Sequence, residues 1–132
     1  LGYFRPAAYT PSMELPDEEY PLIMMTGRIL YHYNACAMTD KTEGINQIAG
    51  ESFIELNTED AQKLGVEDGE MVSISSRRGT IQAKATVSYK TNPGECWMPF
   101  HYMPLYPSRT QACILLCIPV YWLAPEVLIY AD

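Results

Sequence analysis

The residues best suited to bind a ligand lie in one stretch, residues 26–39, which follows a short apolar run. Arg28 carries a planar guanidinium, whose fork of donors suits a phosphate or a guanine edge. His32 and Thr39 add hydrogen-bonding groups. Because Gly27 has no Cβ, the backbone there can take a positive φ or approach another molecule closely. The stretch is therefore compatible with a loop that holds a nucleotide-like, phosphate-bearing ligand.

The same residue types also have structural explanations. Arg28 could form an ion pair with Asp40 or Glu43, and His32 could be a structural histidine whose ring is hydrogen-bonded inside the fold. Tyrosine-rich loops such as this one also cover the mouths of small barrels. On residue chemistry alone, a surface loop is the favoured interpretation.

Catalytic and metal-binding motifs are missing from the sequence. It contains no Gly-x-Ser-x-Gly, P-loop, Gly-x-Gly-x-x-Gly or His-Glu-x-x-His pattern. The cysteines form no Cys-x-x-Cys pair, so their spacing predicts buried free thiols rather than zinc or iron–sulfur ligands. They are Cys36, Cys96, Cys113 and Cys117. We therefore expect neither catalytic residues nor metal ligands in this chain.

Length and charge narrow the class of protein further. The 132 residues are enough for one domain with a sizeable core. The net charge of −7 argues against a nucleic-acid partner, because phosphate backbones are bound by clustered Lys and Arg. Residues 114–124 are strongly apolar, but a transmembrane helix needs about 20 such residues. We expect them to form a buried strand pair, or an exposed apolar surface if the tail is aberrant, and we expect no membrane insertion.

Apolar runs between turn residues predict a mostly β chain. Residues 80–88 alternate between apolar and polar types, which is the pattern of a half-buried strand. Strands are predicted at residues 22–25, 52–56, 71–75, 80–88 and 96–100. Residues 1–20 are rich in proline and are predicted to be an extended linker.

One helix is predicted between two capping residues. Asn57 can cap its first turn, where Glu59 and Asp60 are favourable charges, and Gly65 suits the position after its last turn. A second, short helical turn is predicted within residues 41–51. Several short strands around one or two small helices indicate a closed, mostly β barrel.

Three strings in order carry a resemblance to a known family: TGRILYHYN with the later Met38-Thr39, then FIELNTEDAQKLGVEDGEMVSISSRRG, then MPFH. Over residues 20–102 the chain resembles the C-terminal domain of molybdopterin-dinucleotide oxidoreductases, and most closely that of formate dehydrogenase alpha subunits. The resemblance implies a double-psi β-barrel with one or two short helices. It assigns residues 21–132 to a dinucleotide-binding domain.

The resemblance also implies a ligand and the residues that hold it. The ligand would be molybdopterin guanine dinucleotide, with Mo or W carried by the parent enzyme, whose catalytic residues lie in earlier domains. Those upstream domains would be the protein partners. The expected cofactor-binding residues are Thr26, Gly27, Arg28, His32, Tyr33, Met38, Thr39, Phe100 and His101.

The last part of the sequence departs from the family pattern. The family has an Ala-Asn-x-Leu-Thr type motif after MPFH, whereas no asparagine follows Asn92 here. Either the chain is a divergent member, or residues 103–132 are not the natural tail. Two alternatives to a formate dehydrogenase stay open: another molybdopterin enzyme, such as a nitrate reductase or formylmethanofuran dehydrogenase, and a non-catalytic β-barrel that serves as an interaction module.

Overall fold

The residues that the structure describes form six strands and two α-helices. The computed structural model describes residues 2–10, 15–34, 36, 38–77, 79–99 and 126–131. In chain order the elements are β1 (Leu22–Gly27), a 3-10 turn (Thr39–Lys41), α1 (Glu43–Ala49), β2 (Phe53–Asn57), α2 (Thr58–Leu64), β3 (Met71–Ser76), β4 (Gly79–Ser88), β5 (Glu95–Pro99) and β6 (Glu126–Ala131).

The strands close into a barrel in the order β1-β5-β2-β4-β3-β6. Two neighbouring pairs are parallel, β1 with β5 and β2 with β4, and the other pairs are antiparallel. This closed barrel with two short helices confirms the predicted architecture. The five predicted strands are present, and each differs from its predicted bounds by at most two residues.

Alternation along the strands fills the barrel interior with apolar side chains. In β4, Ala83 and Ala85 are buried, while Ile81 and Val87 are partly buried and pack against the same cluster. Burying an aliphatic side chain contributes about 1.5–3 kcal/mol, so this interior supplies the main stabilisation. The most deeply buried side chains include Met24, Ile54, Leu56, Val72, Ile74, Cys96, Val127 and Ile129.

Helix α2 has the two caps that the sequence predicts. The Asn57 Oδ1 atom accepts a hydrogen bond of 2.9 Å from the Glu59 N–H, which would otherwise have no partner in the first turn. Gly65 has φ +71°, the left-handed conformation common after a helix. Asn57 also donates from Nδ2 to the Thr91 carbonyl, at 2.6 Å, so the cap joins the helix to the loop before β5.

Strand β6 is the element that the sequence did not predict. It pairs with β1 and β3 and closes the barrel. The strand pair predicted at residues 114–124 lies outside the described residues. The predicted helical turn within 41–51 is present as the 3-10 turn followed by α1.

Residues just before β1 contact the turn between β3 and β4. Arg77 forms an ion pair with Asp17, and its guanidinium lies 4.7 Å from the centre of the Tyr20 ring. Residues 2–10 are exposed and have no helix or strand; their role as a linker stays a prediction. In the part of the chain that the structure describes, no helix has both the length and the apolar character to cross a membrane.

Candidate functional site

The predicted loop leaves the barrel where two parallel strands end together. Thr26 pairs with Met98, and Gly27 pairs with Pro99. The residues after β1 therefore begin beside the residues after β5, which explains how two distant motifs can serve one site. Phe100 and His101 directly follow Pro99 but lie outside the described residues, so their contact role stays a prediction.

Thr26 and Arg28 are exposed at this end of the barrel. Thr26 is on the same side of β1 as the buried Leu22 and Met24, so it continues their row at the barrel mouth. Among the described residues, no carboxylate forms an ion pair with Arg28, including Asp40 and Glu43. The guanidinium is thus available to an anion or a guanine edge.

Gly27 is the last residue of β1, and its φ is not positive. Its cofactor-binding role stays a prediction. A Cβ at this position would lie 2.7 Å from Nε1 and 3.0 Å from Cζ2 of Trp97. The absence of a side chain at Gly27 therefore makes room for the Trp97 indole on the outside of the barrel.

His32 lies inside the loop and holds it closed. Its ring is 5% exposed. Nε2 lies 2.7 Å from the Ala49 carbonyl oxygen, and Nδ1 lies 2.9 Å from Thr39 Oγ1. Ala49 is the last residue of α1, where carbonyl groups lack partners within the helix, so His32 donates to it from Nε2. The histidine thereby ties the loop after β1 to the end of α1.

Cys36 completes this cluster. Its Sγ lies 2.8 Å from His32 Nδ1 and 3.8 Å from Thr39 Oγ1. Burial raises the pKa of the Cys36 thiol, so the thiol stays protonated at neutral pH. Asn34 and Cys36 have φ of +46° and +66°, a region that non-glycine residues seldom adopt. We call His32, Cys36 and Thr39 the loop clamp.

The predicted residues therefore fall into two groups. Thr26, Arg28, Tyr33 and Met38 are exposed, with Tyr33 and Met38 at 64% and 68%. These four can touch a ligand. In the clamp, His32 and Cys36 are buried and Thr39 is half-buried, and His32 and Thr39 hold the loop that carries the exposed group.

Two cavities flank the loop on the outer face of the barrel. One, of about 550 Å³, lies between the loop and the end of α1 and is bordered by Tyr31, Ala49 and Lys84. The other, of about 390 Å³, lies over β1, β5 and β2. Ile29 and Phe53 border both cavities. The loop after β1 thus lies beside two cavities that can accept a small molecule.

The second cavity, here named the outer-face cleft, has polar and aromatic walls. The rings of Phe53 and Trp97 lie 5.7 Å apart at an angle of 42°. Glu55 is 7% exposed although it points out of the barrel. Its Oε1 accepts from Ser88 Oγ at 2.7 Å and from Lys90 Nζ at 3.0 Å.

Thr91 gives the cleft an unusual feature. The residue is 5% exposed and borders the cleft, and its Oγ1 is buried without a hydrogen-bond partner among the described residues. The sequence analysis did not single out Glu55, Thr91 or Trp97. Alternation in β2 and β5 could have placed Glu55 and Trp97 on the outer face, but nothing local marked Thr91.

The described residues include no candidate metal site and two free thiols. No group of three or more His, Cys, Asp or Glu side chains there could hold a metal ion. Cys36 and Cys96 are buried free thiols, as predicted. Burial in the core raises the pKa of Cys96 to about 12. Cys113 and Cys117 lie outside the described residues.

Comparison with known proteins identifies relatives of this domain. Residues 22–124 match the family described as "Molydopterin dinucleotide binding domain". The F420-dependent formate dehydrogenase 2 subunit alpha of Methanococcus maripaludis is 48% identical over 103 residues, which are 78% of this chain and 15% of that protein. A nitrate reductase of Symbiobacterium thermophilum is 41% identical over 91 residues, 69% of this chain and 12% of that protein.

A solved structure shares the fold. Acetylene hydratase from Pelobacter acetylenicus superimposes with a TM-score of 0.69 at 16% identity, over 87% of this chain and 19% of that one. The closed mixed barrel confirms the predicted fold class, a double-psi β-barrel.

The matched segments cover most of this chain but only a small part of each relative. The chain spans 15–16% of the length of the formate dehydrogenase alpha subunits that it resembles. The family match covers most of this chain, and it agrees with the predicted resemblance. The chain therefore belongs to the family of molybdopterin dinucleotide-binding domains.

Proposed function

We propose that this chain is the cofactor-binding domain of a formate dehydrogenase alpha subunit and that it binds molybdopterin guanine dinucleotide. The parent enzyme would oxidise formate to CO₂. The redox chemistry belongs to the Mo or W that the cofactor carries when bound, and this domain contributes binding and orientation. The upstream domains of the parent would supply the catalytic residues.

The observation that carries this proposal is the exposed guanidinium of Arg28 at the common end of β1 and β5, which has no carboxylate partner among the described residues. A dinucleotide carries a diphosphate, which a planar fork of charged donors suits well. The residues present fit the cofactor: Thr26 adds a hydroxyl, and Tyr33 adds an exposed ring that can stack on a flat heterocycle.

The loop clamp supports the proposal indirectly. Binding is strongest when the contacting groups are already ordered, because less conformational entropy is then lost. His32 and Thr39 hold the loop in a strained shape from within, so Arg28 and Tyr33 are displayed before any ligand arrives. In this proposal His32 and Thr39 position Arg28 and Tyr33, which contact the cofactor.

A nitrate reductase is the second candidate for the parent enzyme. The relative from Symbiobacterium thermophilum is 41% identical, against 48% for the formate dehydrogenase subunit, so the formate enzyme is the better supported of the two. The two candidates share the same cofactor-binding role for this domain. They differ in the substrate of the assembled enzyme, which a formate and nitrate assay of the parent separates.

The test is direct binding by the purified chain. Guanosine 5′-diphosphate and molybdopterin guanine dinucleotide released from a purified molybdoenzyme are titrated by calorimetry. A charged hydrogen bond contributes about 1.5–3 kcal/mol, so we expect Arg28→Ala to weaken binding roughly 10- to 150-fold. Arg5→Ala, which removes an equal charge from the exposed N-terminal segment, is the matched control and should bind normally.

The opposite result would favour a non-catalytic interaction module. One such result is that the folded chain binds neither ligand. The other is that Arg28→Ala and Arg5→Ala bind both ligands with the affinity of the unchanged chain. Either result would mean that the loop does not bind the cofactor. Circular dichroism of each variant establishes that the barrel is intact before binding is compared.

A further inference from the structure

The outer-face cleft has features that the proposed function does not use. We propose that it binds the flat 2-amino-4-oxopyrimidine ring that guanine and pterins share. The inference rests on the proposed function, since a molybdopterin dinucleotide offers such a ring. It assigns a ring-binding site to Phe53, Glu55, Thr91 and Trp97, which are not part of the loop motif.

The position and size of the cleft suit one heterocycle. Its volume is about 390 Å³, at the lower end of the range of about 300–1,000 Å³ found for small-molecule sites. Ile29 and Leu30 border it, and Arg28 directly precedes them. A ring in the cleft would therefore lie beneath the loop whose guanidinium is proposed to hold phosphate.

The aromatic walls provide a stacking surface. Phe53 and Trp97 belong to neighbouring strands, and both are partly exposed. Both side chains line the cleft, so a third ring there could stack against one of them. Stacking of a base on an aromatic side chain contributes affinity without choosing between bases.

The choice between bases would come from Glu55. Its Oε1 is engaged by Ser88 and Lys90, while Oε2 makes no hydrogen bond within the described residues. Guanine and pterins present adjacent ring N–H and amino donors, which a carboxylate can accept. Adenine has no ring N–H on the matching edge. A nearly buried carboxylate beside two aromatic rings thus favours guanine and pterin rings over adenine.

Thr91 is the observation that points most clearly to a ligand. A buried hydroxyl without a partner destabilises a protein, so such groups are uncommon unless something else satisfies them. The Thr91 hydroxyl is in that state, and the residue borders the cleft. The 4-oxo group or a ring nitrogen of the ligand would be its partner.

The experiment compares ligands and variants by quenching of tryptophan fluorescence and by calorimetry. The probes are guanosine 5′-monophosphate, adenosine 5′-monophosphate and pterin-6-carboxylate, which separate a nucleotide source of the ring from a pterin source. We expect the folded chain to bind at least one of the guanine and pterin probes at least tenfold more tightly than the adenine probe.

Thr91→Val should weaken that binding about tenfold while Thr91→Ser restores it, and Glu55→Gln should abolish the preference over adenine. Thr80→Val, which replaces an exposed threonine of β4 outside the cleft, is the control and should change neither. The preference over adenine is the readout that a purely structural role of Glu55 would leave unchanged.

Two outcomes would overturn the inference. One is equal affinity for the guanine, pterin and adenine probes, or no binding of any of them, in the folded chain. The other is binding that Thr91→Val and Glu55→Gln leave unaltered. If Arg28→Ala abolishes binding of the dinucleotide in that second case, the proposed function stands and the cleft is not part of the site.

Discussion

Replacing His32 by alanine tests whether the loop is held from within. The substitution removes the hydrogen bond from Nε2 to the Ala49 carbonyl and the contact of Nδ1 with Thr39 Oγ1. Each such bond contributes about 0.5–1.5 kcal/mol net, so the closed loop should lose about 2 kcal/mol. That loss corresponds to roughly 30-fold more frequent opening of the loop.

Amide hydrogen exchange measures this opening at single residues. In the closed loop the Asp40 N–H donates to the Cys36 carbonyl at 2.9 Å, and the Cys36 N–H donates to the Tyr33 carbonyl at 3.0 Å. In His32→Ala both amides should exchange about 30-fold faster. The Ile23 N–H, which donates to the Gly94 carbonyl, should keep its protection because it lies in the barrel.

The control substitution lies in the same loop. Met38 is exposed and its side chain is not part of the clamp, so Met38→Ala should leave both exchange rates within about twofold of the unchanged chain. Unchanged protection of Asp40 and Cys36 in His32→Ala would refute the clamp, and so would equal loss of protection in both variants.

Three further predictions concern the barrel itself. Gly27→Ala should lower the free energy of unfolding by about 1–3 kcal/mol, because its Cβ would overlap Trp97. Gly44→Ala in α1 has open space for its Cβ and should raise the free energy of unfolding by about 0.5–1 kcal/mol. Urea unfolding measures both changes. Thr91→Val should raise the free energy of unfolding by about 1 kcal/mol, because it removes a buried hydroxyl without a partner, and a decrease would contradict that assignment. Above pH 9.0 the unfolded chain releases the Cys96 proton, while the folded chain holds it to about pH 12. The free energy of unfolding should therefore fall by about 1.4 kcal/mol per pH unit relative to that of Cys96→Ala. Parallel pH profiles of the two proteins would exclude the effect.

Local signals explain why most of the fold could be predicted from the sequence. The caps of α2 depend on Asn57 and Gly65, which lie next to the helix, and the alternation of β4 is complete within one strand. Strand β6 has no such signal. Leu128 and Tyr130 face outward but are themselves apolar, so they hide the alternation of the buried Val127 and Ile129.

The site was harder to predict because its geometry depends on distant partners. The sequence gives no sign that His32 turns inward toward Ala49, or that Gly27 accommodates an indole 70 positions later. Arg28 needed no such partner, and it is exposed as a ligand-binding residue should be. Thr91 became a candidate only when the fold showed that its hydroxyl is buried and unpaired.

The most direct test of the cofactor-binding role is a titration of the ¹⁵N-labelled chain with molybdopterin guanine dinucleotide, followed by NMR. We expect the backbone amides of Arg28, Tyr33 and Met38 to shift most, in proportion to the fraction bound. The amides of β3, which pairs with neither β1 nor β5, should shift little. Saturating cofactor that leaves the loop amides unmoved, or that shifts chiefly β3, would contradict the account.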